Sequence, residues 1–124
     1  MKIAVTATGP TLEAAVDPRF GRCQFFVIVE TDDMSIEAVR NENVMAGGGA
    51  GIQSAKLVAE KGAQIVLTGN CGPNAFSALQ AADIPVCVGV GGTVKEAVEA
   101  YQTGQIAPTG NANVQSHFGT GDRQ

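Results

Sequence analysis

Runs of apolar residues and segments with helical spacing follow one another along the chain, and they predict five strands and three helices. The first half contributes three strands, at residues 2–8 (β1), 24–30 (β2) and 35–41 (β3). β1 and β2 are apolar at consecutive positions, which is typical of strands covered on both faces of a sheet. Residues 31–34 have the composition of a hairpin turn, so β2 and β3 should be antiparallel.

The second half alternates helices with strands. A glycine-rich loop at residues 44–51 precedes helix α1, in which Ile52, Ala55 and Val58 recur at helical spacing until Gly62 provides a stop. The later elements are predicted as β4 at residues 65–68, α2 at 74–82, β5 at 84–89 and α3 at 93–103. Thr93 and Glu96 should form a capping box at the start of α3.

Strands that alternate with helices need parallel crossovers, so β3, β4 and β5 should run in one direction and β2 in the other. With β1 parallel to β4, the predicted strand order is 3-2-1-4-5, and Pro85 favours an edge position for β5. The prediction is one α/β domain over residues 1–104, with helices on both faces of a mixed sheet. Residues 105–124 are polar and rich in Gly, Asn and Thr, which predicts a flexible tail with little core.

The predicted strand directions bring four loops to the carboxyl end of the sheet, which we call the rim. These loops are residues 9–23, 47–51, 69–74 and 90–92. Open α/β sheets bind ligands at this end, close to the point where the strand order reverses. The first loop is long and lacks periodicity, so we expect it to be mobile.

Composition excludes several classes of protein. The net charge is −4, no basic cluster is present, and the chain has five Phe, one Tyr and no Trp, so nucleic acid is not an expected partner. No apolar run approaches the roughly 18 residues of a membrane span, and a signal-peptide pattern is lacking, which predicts a cytoplasmic protein without a membrane partner. Three cysteines without a Cys-x-x-Cys pair argue against a disulfide framework and a closed four-ligand zinc site.

Positive charge and glycine turns coincide at the rim. Arg19 and Arg22 lie there beside Asp17, and the turn that leads into α2 supplies backbone N–H groups that favour an anion. The arrangement predicts a pocket for an anion or an anionic cluster. Alternatively, Asp17 pairs with one of the two arginines and pins the long loop.

Two of the three cysteines also fall on the rim. Cys23 and Cys71 lie there, whereas Cys87 is within β5 and is predicted to be a core residue. Thiolates are soft ligands, so Cys71 and Cys23 are candidate ligands for iron or copper. The alternative for Cys71 is a small buried thiol in an ordinary connection between β4 and α2. We expect thiol reagents to modify Cys23 and Cys71 before Cys87.

The sequence lacks motifs for other chemistries. Residues 47–51 do not match the Gly-x-Gly-x-x-Gly fingerprint, and no phosphate-binding P-loop occurs, which disfavours a nucleotide site. A cysteine nucleophile would need His117, the only histidine, which falls in the predicted tail. We therefore assign no catalytic residue and predict that the chain is not an enzyme.

Three segments in order resemble the dinitrogenase iron-molybdenum cofactor biosynthesis family. They are Asp-Pro-Arg-Phe-Gly-Arg at residues 17–22, Gly-Gly-Ala-Gly-Ile at 48–52 and Gly-Pro-Asn-Ala-Phe at 72–76. The resemblance covers roughly residues 1–104. That family includes nitrogenase cofactor carriers, the C-terminal region of the radical enzyme of cofactor synthesis, and the small orange protein, which holds a molybdenum–copper sulfide cluster.

The resemblance implies a three-layer, ribonuclease-H-like α/β fold and the binding or carriage of a metal–sulfur cluster instead of catalysis. The implied cargo contains molybdenum with iron or copper, and the implied partner is a protein client or cluster donor. The predicted binding residues are Arg19, Phe20, Gly21, Arg22, Gly48, Gly49, Ala50, Gly51, Asn70, Gly72, Pro73 and Asn74. Cys71 is not part of the shared pattern, so a thiolate ligand there is suggested by this sequence alone.

Two other classes of function stay open at this point. One is a binder or enzyme of a small phosphorylated metabolite that uses the same glycine-rich rim. The other is an interaction domain whose partner adds a strand to the β3 or β5 edge.

Overall fold

The computed structural model describes residues 1–42 and 49–110, and within them it contains five strands and three helices. The strands are β1 (Lys2–Ala7), β2 (Phe25–Glu30), β3 (Ser35–Arg40), β4 (Ile65–Leu67) and β5 (Val86–Cys87). The helices are α1 (Ala50–Glu60), α2 (Pro73–Ala81) and α3 (Val94–Gln102). No helix in the described ranges is long and apolar enough to cross a membrane.

The five strands form one mixed sheet in the order β3-β2-β1-β4-β5. β2 is antiparallel to both β1 and β3, whereas β1, β4 and β5 are parallel neighbours. The predicted order and directions are therefore confirmed, including the edge position of β5. The hairpin after β2 and the helical crossovers after β3 and β4 explain the relative directions of β2, β3, β4 and β5.

Helices cover both faces of the sheet, which explains the uninterrupted apolar runs. Ala4, Ile28 and Val66 point to the face covered by α1 and α2. Their sequence neighbours, such as Val29 and Ile65, point to the face covered by α3. Because successive residues of a strand face opposite sides, both must be apolar when both sides are buried.

The β5 edge is shorter and better covered than the sequence suggests. β5 has two residues instead of the predicted six, and its outer side is paired by residue 109, whose N–H donates to the Val86 carbonyl at 2.8 Å. Ile106 packs against the α3 side of the core. Ordered contacts therefore continue past residue 104, whereas residues 111–124 of the predicted tail lie outside the described residues.

The loop between β1 and β2 is hydrogen-bonded to neighbouring segments at several points, and its mobility stays a prediction. The Thr8 N–H donates to the Ala15 carbonyl at 2.9 Å, and the Val16 N–H donates to the Gly92 carbonyl at 2.9 Å. The Asp17 N–H continues this series with a 2.8 Å bond to the carbonyl of Thr6. Local periodicity could not reveal the bond between Val16 and Gly92, because it joins segments far apart in the sequence.

Candidate functional site

Three chain segments meet at the rim above β1 and β4, namely residues 17–22, 49–51 and 70–74. The first and third are bonded in both directions, since the Phe20 N–H donates to the Asn70 carbonyl at 3.1 Å and Asn70 Nδ2 donates to the Pro18 carbonyl at 3.0 Å. The segments that resemble the cofactor family are thus adjacent in space. Gly48, which the sequence placed in this site, lies outside the described residues.

Glycines allow the three backbones to approach closely. A Cβ at Gly69 would lie 2.6 Å from Pro18 Cα, and one at Gly51 would lie 2.9 Å from Ala75 Cβ. Gly21 has a φ of +94°, and a Cβ there would lie 3.0 Å from Gly51 Cα. Real Cβ atoms essentially never come closer than 3.0 Å, so a side chain at Gly69 or Gly51 would push the segments apart. At Gly21 the contact is tight, and the positive φ itself disfavours a side chain.

The N-termini of α1 and α2 lie side by side at this junction and have no side-chain cap. Their N-cap residues are Gly49 and Gly72, and neither helix has an acidic residue in its first turn. The first N–H groups of a helix have no intrahelical acceptor, so these two termini can bind an anion. Pro73 and Asn74, at the exposed start of α2, border the same point.

The N-terminus of α3, which follows the rim loop at residues 90–92, does not take part in this junction. Thr93 and Glu96 form the predicted capping box there. The Val94 and Lys95 N–H groups donate to the carbonyls of Ala14 and Leu12, both at 2.9 Å. This helix terminus is satisfied by the protein itself.

Asp17 and Arg19 form an ion pair at the rim, so the alternative in which Asp17 pins the long loop is confirmed. Asp17 Oδ1 accepts bonds from the backbone N–H of Arg19 at 3.0 Å and from its Nε at 3.3 Å. The Asp17 side chain is buried, whereas 60% of the Arg19 side chain is exposed. Arg22 is also exposed. The pair orders the loop and still leaves positive charge at the surface.

Three of the predicted binding residues, Phe20, Gly21 and Ala50, are buried. Phe20 is buried and packs edge-to-face on Phe26, with ring centroids 5.6 Å apart. Ala50 is also buried, at the start of α1. Phe20 therefore anchors the turn between Arg19 and Gly21 in the core, and its ring is not offered to a ligand.

Asn41 is a structural part of the site that the sequence analysis missed. Its buried Nδ2 donates to the carbonyls of Gly21 at 3.1 Å and Cys23 at 2.9 Å, which ties the end of β3 to the turn below the rim. The signal was weak, because an asparagine after a strand also suits an ordinary turn. Its position directly before the glycine-rich loop is the feature that would have indicated this role.

The rim cysteines occupy the predicted chain positions, but their side chains point inward. Cys23 and Cys71 are buried in the core between the sheet and α1–α2, and Cys87 is buried on the other face. Burial raises the pKa of Cys23 to about 12, with a further contribution from the Asp17 carboxylate, and raises the pKa of Cys71 to about 11. Both are neutral thiols at pH 7, and metal ions bind the thiolate.

We expect all three cysteines to react slowly in the native protein, which replaces the expected order of modification. At pH 8 a thiol of pKa about 12 is ionised in roughly one molecule in ten thousand, so native labelling should be at least about 100-fold slower than in denaturant. Mass spectrometry of the protein treated with a maleimide, with and without denaturant, measures this. Rapid native modification of Cys23 or Cys71 would contradict their burial.

The described residues do not contain a conventional metal site. Among residues 1–42 and 49–110, no group of three or more His, Cys, Asp or Glu side chains is placed to hold a metal ion. The chemistry available at the rim consists of backbone N–H groups, two exposed arginines and small residues. Such a surface suits an anion more than a bare cation.

Comparisons with known proteins agree with this architecture. The family described as dinitrogenase iron-molybdenum cofactor matches residues 1–104. An uncharacterized protein of Methanocaldococcus jannaschii is 30% identical over 109 residues, which cover 86% of this chain and 89% of that protein.

Two solved structures share the fold over most of their length. The apo form of the orange protein from Desulfovibrio gigas is 44% identical with a TM-score of 0.89, covering 91% of this chain and 96% of that chain. An NMR structure of a candidate NifB protein from Thermotoga, in the DUF35 family, is 33% identical with a TM-score of 0.76. The match covers 86% of this chain and 91% of that chain. The sequence match, the fold and the convergence of the three motif segments lead to one conclusion: the chain belongs to the dinitrogenase iron-molybdenum cofactor family.

Proposed function

We propose that this protein binds and carries an anionic metal–sulfur cluster, in which molybdenum is combined with iron or copper, at the rim formed by residues 19–22, 49–51 and 70–74. The cluster is cargo, received from a donor protein or delivered to a client, and the protein is not an enzyme. Membership of the cofactor family supports a role in cluster binding or cofactor biosynthesis. A cytoplasmic location, where such assembly would take place, is part of the same proposal.

The observation that favours this function is the meeting of two helix N-termini without side-chain caps, at a rim that also carries two exposed arginines. Each terminus carries the equivalent of roughly +0.5 elementary charge, concentrated on its free N–H groups. α1 and α2 approach so closely that a Cβ on Gly51 would overlap Ala75. In a protein with a net charge of −4, this local concentration of positive potential selects an anion.

The arrangement also suits release of the cargo. A site closed by several thiolates would hold a cluster through covalent bonds, whereas hydrogen bonds and charge give affinity that a partner can compete with. Cys23 and Cys71 stay in the proposal as secondary ligands only. For either to coordinate iron or copper, it must lose its proton and turn out of the core, and both steps oppose binding.

Reconstitution tests the proposal directly. Anaerobic incubation of the purified protein with tetrathiomolybdate and either copper(I) or iron(II) with sulfide should give visible absorbance that co-elutes with the protein. Metal analysis of the eluted fraction should give a fixed ratio of metal to protein. Absorbance that elutes only with small molecules, under every one of these conditions, would refute the proposed cargo.

A phosphorylated small molecule is the second candidate, because uncapped helix N-termini are also typical phosphate sites. Thermal-shift measurements with inorganic phosphate and a set of sugar phosphates and nucleotides separate the two. Tetrathiomolybdate should raise the melting temperature at concentrations where phosphate esters leave it unchanged. The opposite result would favour the metabolite.

A further inference from the structure

Asp17 is unusual among the charged residues of this protein. Within residues 1–42 and 49–110 it is the only charged residue in the buried class, with 2% of its surface exposed. Its backbone is fixed on both sides, because its N–H donates to the Thr6 carbonyl at 2.8 Å and its carbonyl accepts from Thr6 Oγ1 at 2.7 Å. Thr6 Oγ1 is in turn 2.8 Å from Thr68 Oγ1, which joins β1 to β4 below the site. The carboxylate is therefore held at a defined point beneath the rim.

The contact between Asp17 and Arg19 uses one end of the guanidinium. In the described part of the chain, Asp17 Oδ1 is bonded to Nε, 3.3 Å away, and to the backbone N–H of the same arginine. The two Nη groups lie at the far end of the planar fork, on a side chain that is 60% exposed. An arginine held through Nε can still donate two parallel bonds from its Nη end.

We propose that Asp17 is a positioning residue for the anionic cargo: it holds Arg19 through Nε so that both Nη donors are directed at the rim. This inference rests on the proposed function in that the ligand is the anionic cluster. A free arginine side chain loses rotamer entropy when it binds a ligand, and an arginine that is already ordered loses less. Burial makes Asp17 suitable for this role, because a buried carboxylate is fixed and does not itself meet the cargo.

Two substitutions separate orientation from charge. Asp17→Asn removes the negative charge but keeps an Oδ1 acceptor for Arg19, whereas Asp17→Ala removes both. Both variants lose the same charge, so a difference between them comes from the lost hydrogen bonds or from looser packing of the loop, which the next pair of variants separates. We expect Asp17→Asn to bind tetrathiomolybdate about fivefold more tightly than Asp17→Ala, the gain from one pre-ordered side chain.

The same pair of variants is then made in an Arg19→Ala background. If Asp17 acts through Arg19, the fivefold difference should fall below about twofold there, as in a double-mutant cycle. A difference that persists without Arg19 would mean that Asp17→Ala acts by loosening the loop, and the positioning role would be wrong. Dissociation constants from equilibrium titration of the anaerobic protein provide these values.

A measurement on the apo protein tests the orientation without any cargo. Hydrogen exchange of the Arg19 Nε–H, followed by NMR of the full chain, should be slow in the wild type and in Asp17→Asn and at least about tenfold faster in Asp17→Ala. Equal exchange in all three would overturn the proposal. Failure of the wild type to bind tetrathiomolybdate would count against the proposed cargo alone, and the exchange rates would still decide whether Asp17 orders Arg19.

Discussion

Replacing Gly69 with alanine should lower the free energy of unfolding by about 3 kcal/mol, because the added methyl group would collide with backbone. A Cβ at this position lies 2.6 Å from Pro18 Cα, 2.9 Å from Pro18 Cβ and 3.0 Å from Pro18 O. Pro18 cannot move aside freely, since its carbonyl accepts the bond from Asn70 and its neighbour Asp17 is fixed to β1. Urea unfolding followed by circular dichroism measures the change.

Gly91→Ala is the matched control for this experiment. Gly91 also lies in a loop of the rim, but no atom lies within 4 Å of its added Cβ, and no strained φ is required. We expect its stability to remain within about 0.5 kcal/mol of the wild type. Equal unfolding midpoints for the two variants would show that residues 18 and 69 lie farther apart in solution than in the structure, with room for the added methyl group.

The sheet could be predicted in detail because local patterns decide it. The hairpin between β2 and β3 fixes one reversal, and the helices after β3 and β4 fix the parallel crossovers. Continuous apolar residues in β1 and β2 indicated burial on both faces, which the two helical layers provide. The strand ends and helix starts lie within two residues of the predictions, and the two-residue differences fall at β5 and at the start of α1.

The start of α1 was predicted late, and the reason is a glycine. The prediction began the helix after Gly51, whereas the helix begins at Ala50 with Gly49 as its N-cap in a left-handed conformation. Glycine has a low intrinsic preference for a helix, so Gly51 suggested a loop. Packing overrides that preference, because only a residue without a side chain allows α1 to approach Ala75 of α2.

The direction of the two rim cysteines could not be derived from their chain positions. Cys23 precedes β2 and Cys71 follows β4, so both belong at the rim by topology. Whether a side chain at a strand end points outward depends on the turn that follows. Here the turn at Gly21 and the start of α2 direct both thiols into the core. The arginines were easier to place, because a long charged side chain in a rim loop remains at the surface.

In the proposed site, cargo binding depends on charge and backbone geometry more than on coordination. Removing the charge of the rim arginines should therefore have the largest effect on function. The double variant Arg19→Ala/Arg22→Ala should bind the molybdenum–sulfur cargo at least about 100-fold more weakly. Each charge-assisted contact contributes about 1.5–3 kcal/mol, and two contacts together exceed the roughly 2.7 kcal/mol that corresponds to this factor. Affinity of the wild type should also fall as salt is raised, because the arginines are exposed and their charges are screened.

A charge-matched control removes two positive charges at the opposite end of the sheet. Lys2 begins β1 and Lys61 follows the last residue of α1, so Lys2→Ala/Lys61→Ala changes the net charge equally but leaves the rim intact. We expect this variant to bind within about threefold of the wild type, because charges farther away than the Debye length of about 8–10 Å are largely screened. A loss as large as that of the arginine pair would mean that total charge, and not the rim, governs binding.

A variant of the two rim cysteines distinguishes cluster binding by charge from cluster binding by coordination. Cys23→Ser/Cys71→Ser removes both rim thiols and should retain most of the bound metal, because those thiols are neutral and buried in the native protein. If the thiols coordinate the cluster, the order reverses: the serine variant loses its metal, since a hydroxyl is a poor ligand for a soft metal, and the arginine variant keeps it. Metal-to-protein ratios of the two variants after anaerobic reconstitution and gel filtration distinguish these outcomes. Full occupancy in a protein that lacks both arginines and both thiols would place the cluster outside the rim altogether.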